Sequence, residues 1–381
     1  MTTTQVDGPP GGAPPGAEAE AGAEALMADL AYALPEHRIA RHPPTERDGG
    51  RLLVLGAEGR RDAMVRQLPE LLRAGDLLVI NDTRVVPARL FARRASGGAV
   101  EALVLPGTGE GSRREALLRP GRRLDPGEEL VVAGPDGSPA GQLRLVARLP
   151  DGRWTVDLVP APELLLERAG HMPLPPYLGR PDGPEDRERY QTVYAGPAGA
   201  VAAPTAGLHL SRPLLQALQD RGLRLATVTL HVGIGTFRPL RPEEVAAGEL
   251  HEEPWILPPE TAAAVARTRA EGGRIVAVGT TSTRVLESAA LPDGTVQAGQ
   301  GLTRLFIRPG RPFRVVDRLL TNLHLPGSSL LALVQAFAGV ARVRAAYAHA
   351  IASGYRFYSY GDAMLLDLDP PRGPGTPRSA A

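Results

Sequence analysis

Apolar and polar positions follow two different rhythms along this chain. Residues 51–83 read strand, helix, strand: RLLVLG, then DAMVRQLPELLRAG at helical spacing, then DLLVIND. Between residues 87 and 159 the helical spacing disappears. Short runs such as ARLFARR, VEALVL, REALLRP, EELVVAG, GQLRLVARL and RWTVDLV are separated by Gly, Pro and Asp. Many short strands at close spacing predict a small antiparallel barrel or sandwich. From residue 162 onward the helical rhythm returns. Helices are predicted at PELLLERAG, RPLLQALQDRG, PPETAAAVARTRAEGG, TSTRVLESAA, SSLLALVQAFAG and ARVRAAYAHAIASG. Strands are predicted at RLATVTLHVG, RIVAVG, TRLFIRP, RVVDRLLTNLHL and RFYSYGDAMLL. Such alternation predicts a layered α/β domain. The simplest architecture is an α/β domain over 26–86 and 160–368, interrupted by an inserted antiparallel β-barrel over 87–159. Residues 1–25 and 369–381 are dominated by Pro, Gly, Ala and small polar residues and read as disordered tails.

Composition narrows the chemistry. The 381 residues are 43% apolar, enough for a sizeable core, and the formal net charge is +1. A nucleic-acid partner must therefore be held by a local basic patch. The chain has no cysteine, which excludes disulfides, thiolate nucleophiles and iron–sulfur clusters. It also has no lysine, all 43 basic residues being arginine, which excludes a P-loop lysine, a Schiff base and a lysine general base. No apolar run reaches the ~18–20 residues that span a bilayer. The first residues lack the basic and apolar regions of a signal peptide. The expectation is a cytoplasmic, membrane-free protein, with a monomer as the default state.

Several polar clusters stand where an α/β enzyme collects ligands. Asn81, Asp82, Thr83 and Arg84 follow the strand DLLVI directly, which suits either ligand contacts or a turn built on Asn and Asp. IVAVGTTSTRVLES is a strand, a glycine, hydroxyl residues and a helix start. Free N–H groups and the helix dipole make such a junction an anion site, with Thr281, Ser282 and Arg284 as contacts; the alternative is a threonine cap. HVGIGTF, with Gly233 and Gly235, lacks the third glycine of a dinucleotide fingerprint but opens a loop where a ligand can approach the backbone. Five histidines fall in polar or Gly/Pro-flanked segments: His171, His209, His231, His251 and His324. Histidine is the usual proton-transfer group near neutral pH, and no pair has the spacing of a zinc hydrolase, so no metal is expected. Residues 84–123 hold nine arginines against three acidic residues, a composition suited to phosphate contacts or to a solvated face.

Taken in order, these strings resemble one family. ALPEHRIARHPPTERDGGRLLVL, GDLLVINDTRVVPARLF, GHMPLPPYLGR, YQTVYAGPAGAVAAPTAGLHL, TLHVGIGTFRPL, HEEPW, VAVGTTSTRVLES, TNLHLPGSSLLALVQAFAG and YRFYSYGDAMLL are similar to the S-adenosylmethionine:tRNA ribosyltransferase-isomerases of queuosine biosynthesis. The likeness covers nearly all of residues 30–367. It implies an α/β domain carrying an inserted β-barrel. It also implies ribosyl transfer from S-adenosylmethionine to the aminomethyl group of a 7-deazaguanine at the wobble position of tRNA. Rearrangement gives epoxyqueuosine, with release of adenine and methionine. S-adenosylmethionine is then a consumed substrate, and no cofactor is needed.

On this reading the acid–base work falls among His209, His324, His231 and Asp82, with the general base left open. Substrate contacts are expected from Asn81, Thr83, Arg84, His171, Tyr177, Tyr190, Thr205, Gly233, Gly235, Thr281, Ser282, Arg284, Asn322 and Ser328. tRNA contacts are expected from Arg89, Arg93 and Arg94. Two positions depart from the family pattern: Leu210, where Phe is usual, and Gly327, where a charged residue is usual. A phosphoribosyltransferase is the competing enzyme, but RIVAV lacks the acidic pair that normally precedes its phosphate loop. A methyltransferase lacks a visible acidic, glycine-rich first loop. A non-catalytic tRNA-binding module built on the arginine-rich insert is the third alternative.

Overall fold

The computed structural model describes residues 17–233 and 240–369. In chain order the strands are β1 (Arg51–Gly56), β2 (Gly59–Met64), β3 (Leu77–Asn81), β4 (Arg84–Val85), β5 (Arg89–Arg93), β6 (Ala99–Leu105), β7 (Arg113–Arg119), β8 (Glu129–Ala133) and β9 (Pro139–Arg148). They continue with β10 (Trp154–Val159), β11 (Ala198–Ala200), β12 (Arg224–Leu230), β13 (Glu249–Leu257), β14 (Ile275–Val278), β15 (Gly299–Leu305), β16 (Arg318–Asn322) and β17 (Ala363–Asp367).

A sheet of nine strands, in the order β15-β13-β12-β3-β14-β16-β17-β1-β2, forms the α/β domain. Its centre is parallel: β12 pairs with β3, β3 with β14 and β14 with β16. β3 and β14 read as near-continuous apolar runs because both faces are covered. Leu77, Val79, Ile275, Ala277 and Leu319 enter one core, and Leu78, Ile80, Val276, Val278 and Leu320 the other. The carboxyl ends of four adjacent parallel strands therefore lie side by side at one edge, where open α/β sheets bind ligands.

β5–β10 close into an antiparallel barrel, in the order β10-β7-β6-β5-β8-β9. Alternate residues such as Leu90 and Ala92, Val100, Ala102 and Val104 point inward around Trp154. The insert's entrance and exit are stitched together. Arg89 N–H donates to the His171 carbonyl at 3.2 Å, and His171 N–H to the Arg89 carbonyl at 2.8 Å. The next residues, 172–177, lead from the barrel foot to the edge of the α/β sheet.

Three local expectations change. The helix expected from DAMVRQLPELLRAG is mostly absent: Asp62–Met64 belong to β2, and only Val65–Gln67 and Leu68–Leu71 are helical. Gly59, at φ 108°, lets the chain double back on β1 before any helix can nucleate. Ala17–Asp29 is a helix, so residues 17–25 are not tail; its Ala/Glu composition favours helix, and Leu26 and Leu30 anchor it. β13, over ELHEEPWIL, had no apolar rhythm because most of its residues face solvent.

Candidate active site

A cleft of about 630 Å³, its open mouth included, lies at the carboxyl ends of the central strands. Tyr177, Thr205, Thr280, Thr281, Thr321, Asn322, His324, Ser328, Tyr358 and Ser359 supply its polar and aromatic lining. Five residues expected as substrate contacts thus meet here from four chain segments: Tyr177, Thr205, Thr281, Asn322 and Ser328, together with His324, one of the acid–base candidates. Among the described residues, no Asp, Glu or Arg lines it.

The helix Gly279–Ser288 begins directly at this cleft. Gly279, at φ 89°, makes the strand-to-helix turn that a side chain would strain. Val278 at the cap position makes no side-chain hydrogen bond, so the hydroxyls do not cap the helix. Thr281 Oγ1 is buried without a partner. Uncapped N–H groups and an unpaired hydroxyl make the junction a donor site for anions or carbonyl oxygens. Ser282 lies elsewhere: its hydroxyl donates back to the Val278 carbonyl at 2.8 Å. Ser328 caps the next helix, Ser329–Ala338, accepting from Leu331 N–H at 3.2 Å and donating to the Leu325 carbonyl at 2.7 Å.

The histidines divide into layers. His324 is in the cleft wall, its Nε2 2.7 Å from Thr321 Oγ1. Burial lowers its pKa from 6.5 to about 3, so the ring is neutral at physiological pH. His209 is one layer back, with Nε2 3.1 Å from Asn322 Nδ2. Burial, aided by the charge of Arg356, lowers its pKa to about 4. His231 follows β12 and packs on Gly199, where even a Cβ would meet the ring at 2.7 Å. Its Nδ1 lies 2.8 Å from Thr83 Oγ1. Burial lowers its pKa while the charge of Asp82 opposes the shift. Asp82 is raised by burial, although Thr229 donates a hydrogen bond to it at 2.6 Å. Asp82, Thr83 and His231 thus form a second polar group on the neighbouring strand ends of β3 and β12.

A family model described as "Queuosine biosynthesis protein" matches residues 27–366. A relative named S-adenosylmethionine:tRNA ribosyltransferase-isomerase, from Acidiphilium cryptum, is 53% identical over 346 residues, 90% of this chain and 99% of the relative. One of the same name from Trichlorobacter lovleyi is 48% identical over 345 residues, 90% of this chain and 99% of the relative. The chain belongs to the queuosine biosynthesis protein family. A solved S-adenosylmethionine tRNA ribosyltransferase of Thermotoga maritima is 34% identical, covering 89% of this chain and 99% of its own, with a TM-score of 0.49. The two departures from the family pattern are accommodated. Leu210 is wholly buried, apolar for apolar, and Gly327 adopts φ 65°, where a side chain is strained.

Other expected contacts of this family member lie outside the cleft. Asn81 bridges backbones: Oδ1 accepts from Leu230 N–H at 3.1 Å and Nδ2 donates to the Leu230 carbonyl at 3.0 Å. Arg84 donates to the carbonyls of Ala195 and Gly196, fixing that loop. Arg284 is buried against Glu253, whose other oxygen accepts from Gly233 N–H at 2.9 Å. Tyr190 is wholly buried in a small core with Met172 and Leu178. His171 pairs with Asp182 at 2.9 Å at the barrel foot, and His251 lies beside Glu244 on the surface. Gly235 is outside the described residues. On the barrel, Arg89 pairs with Glu101 at 3.0 Å and Arg94 forms a bidentate pair with Glu128. Exposed Arg93 donates to the Gly97 carbonyl at 3.4 Å and has no ion pair to a described carboxylate. The sequence reading missed Thr280, Thr321, Tyr358 and Ser359. The string YRFYSYGD carried the last two, but a run so rich in aromatics reads first as core.

Proposed function

We propose that this cleft is where ribosyl transfer from S-adenosylmethionine to tRNA takes place. The activity is that of an S-adenosylmethionine:tRNA ribosyltransferase-isomerase in queuosine biosynthesis. The observation that carries the location is the convergence of a neutral histidine, an uncapped helix start and the unpaired hydroxyl of Thr281 at the carboxyl ends of adjacent parallel strands.

The chemistry asks for proton transfer at a methylene that the sulfonium has acidified, and for hydrogen-bond donors to the departing adenine. In this proposal His324 takes the proton. Burial keeps its ring neutral at physiological pH, and Thr321 orients it in the cleft wall. His209 is a positioning residue that acts through Asn322. Thr281 and the N–H groups of its helix hold the methionine carboxylate or a tRNA phosphate. Asp82, beside His231, favours the sulfonium by charge. The acceptor in this scheme is the aminomethyl group of a wobble 7-deazaguanine, and epoxyqueuosine is the product. No cofactor enters, S-adenosylmethionine being consumed, and the enzyme works in the cytoplasm as a monomer. The chain lacks cysteine, which removes iron–sulfur chemistry; among the described residues no group of three potential ligands is arranged for a metal. Also among the described residues, no single helix is long and apolar enough to cross a membrane.

Hydrogen–deuterium exchange tests the location. S-adenosylmethionine should slow exchange over 279–283 and 321–325. Protection confined to the barrel, or to the opposite edge of the sheet, contradicts it.

A further inference from the structure

Tyr358 is the one non-glycine residue at positive φ, 75°, among the described residues. A residue with a Cβ adopts this left-handed conformation at a cost, and persists there only when its surroundings over-determine it. Here they do. Tyr358 N–H donates to the Leu323 carbonyl at 3.0 Å, and its own carbonyl accepts from Gly361 N–H at 3.0 Å and from Asn322 Nδ2 at 3.1 Å. Both Asn322 and Leu323 lie at the end of β16, so the turn is pinned to the same strand end that carries His324. Glycine or asparagine would satisfy this backbone more easily. The ring is what the tyrosine adds.

That ring lines the cleft. Its centroid is 4.6 Å from that of Tyr177, with the planes inclined at 55°. Tyr177 is tied in turn to Ser359 through its hydroxyl. The pair therefore comes from two distant segments and is fixed at both. Other aromatic residues nearby, Tyr32, Tyr347 and Phe357, pack on one another in the core that backs Tyr358. The cleft in front of Tyr358 offers hydroxyls, an amide and a neutral imidazole, and no described carboxylate or guanidinium. An aromatic wall beside uncharged hydrogen-bonding groups suits a planar heterocycle that stacks on the ring and bonds through its edge.

We propose that Tyr358 and Tyr177 form a stacking wall for a purine-type base, held in the cleft while Thr205 and Ser359 face its polar edge. The inference rests on the reading of this cleft as the S-adenosylmethionine:tRNA site. That reading brings two such bases: the adenine of S-adenosylmethionine, and the wobble deazaguanine. The neutral lining favours adenine, since the aminomethyl deazaguanine carries an ammonium group.

Calorimetric titration of the full chain with S-adenosylmethionine, and separately with tRNA bearing the aminomethyl deazaguanine, decides this. Tyr358→Asn keeps a residue that tolerates the turn and removes the ring; Tyr358→Phe keeps the ring. Base–aromatic stacking predicts a loss of about tenfold or more in S-adenosylmethionine affinity for Tyr358→Asn, with tRNA affinity unchanged and Tyr358→Phe close to wild type. A loss confined to tRNA would also support the wall, with the wobble base as occupant. Both affinities within about twofold of wild type would overturn it. If wild type binds neither substrate, the functional reading falls and the wall with it, an outcome distinct from unchanged variants. Circular dichroism checks folding. Should Tyr358→Asn not fold, Tyr177→Leu removes the other half of the wall, and the same two titrations decide.

Discussion

Asn322 Nδ2 donates to His209 Nε2 at 3.1 Å, which places the imidazole proton on Nδ1. The amide cannot be turned the other way, because Nδ2 also donates to the Tyr358 carbonyl at 3.1 Å and Oδ1 accepts from Thr205 at 3.1 Å. Asn322 thus ties three parts of the site to the end of β16. Asn322→Asp removes both donors. It should force a proton onto His209 Nε2 and destabilise the fold by about 1–3 kcal/mol, because the Tyr358 carbonyl loses its buried partner. Nitrogen-15 shifts of the His209 ring check this. An unprotonated Nε2 in the variant at neutral pH would show that the bond does not set the tautomer.

Two buried neutral histidines predict sensitivity to acid. His209 and His324 titrate at about 4 and about 3 in the native state, against 6.5 as the ordinary value. Below pH 6.5 the unfolded chain binds protons that the native chain refuses. Stability is therefore complete above pH 6.5 and falls as the pH drops toward those native values. The slope approaches about 1.4 kcal/mol per pH unit for each ring. Denaturant unfolding between pH 6.5 and 5, above the range of ordinary carboxylates, measures it. His324→Gln should flatten the slope, and an equal slope in wild type and variant counts against buried neutral rings.

His324 and His209 should differ kinetically. A group in the cleft wall that takes the proton acts on kcat, so His324→Gln should lower kcat by about 100-fold or more and leave the KM for S-adenosylmethionine nearly unchanged. His209→Gln, acting through Asn322, should cost less. If His324→Gln changes only KM, the ring is a binding group and the proton goes elsewhere, with His231 beside Asp82 next to be tested.

The barrel arginines are not equivalent. Arg94 already has a carboxylate, Glu128, whereas exposed Arg93 has none among the described residues. Arg93→Ala should reduce the slope of log affinity for tRNA against log salt by about one, the contribution of one phosphate contact, and Arg94→Ala should leave it nearly unchanged. Equal slopes for wild type and both variants would mean that this face is only solvated.

The fold was readable where burial imposes a rhythm. The central strands β3 and β14 are buried throughout and stood out as apolar runs, and the loss of helical spacing marked the barrel. Strand β13, paired between β15 and β12, was invisible because its side chains mostly face water. Polar strand ends pointed to the edge of the sheet where the cleft lies, but not to which side chains enter it. Asn81 and Thr205 both follow apolar segments, yet one bridges to Leu230 and the other lines the cleft. Nor did Arg84, Arg94 and Arg284 reveal that their partners are a loop carbonyl, Glu128 and Glu253. Such pairings span from tens to more than a hundred residues and arise only from the tertiary arrangement.

The most direct test of the central claim is product analysis. The full chain is incubated with S-adenosylmethionine and tRNA carrying 7-aminomethyl-7-deazaguanine at the wobble position, and the digested nucleosides and small products are examined by mass spectrometry. The account predicts epoxyqueuosine in the tRNA, with adenine and methionine released in equal amounts. A methylated nucleoside accompanied by S-adenosylhomocysteine, or tRNA left unchanged while S-adenosylmethionine stays intact, would contradict it.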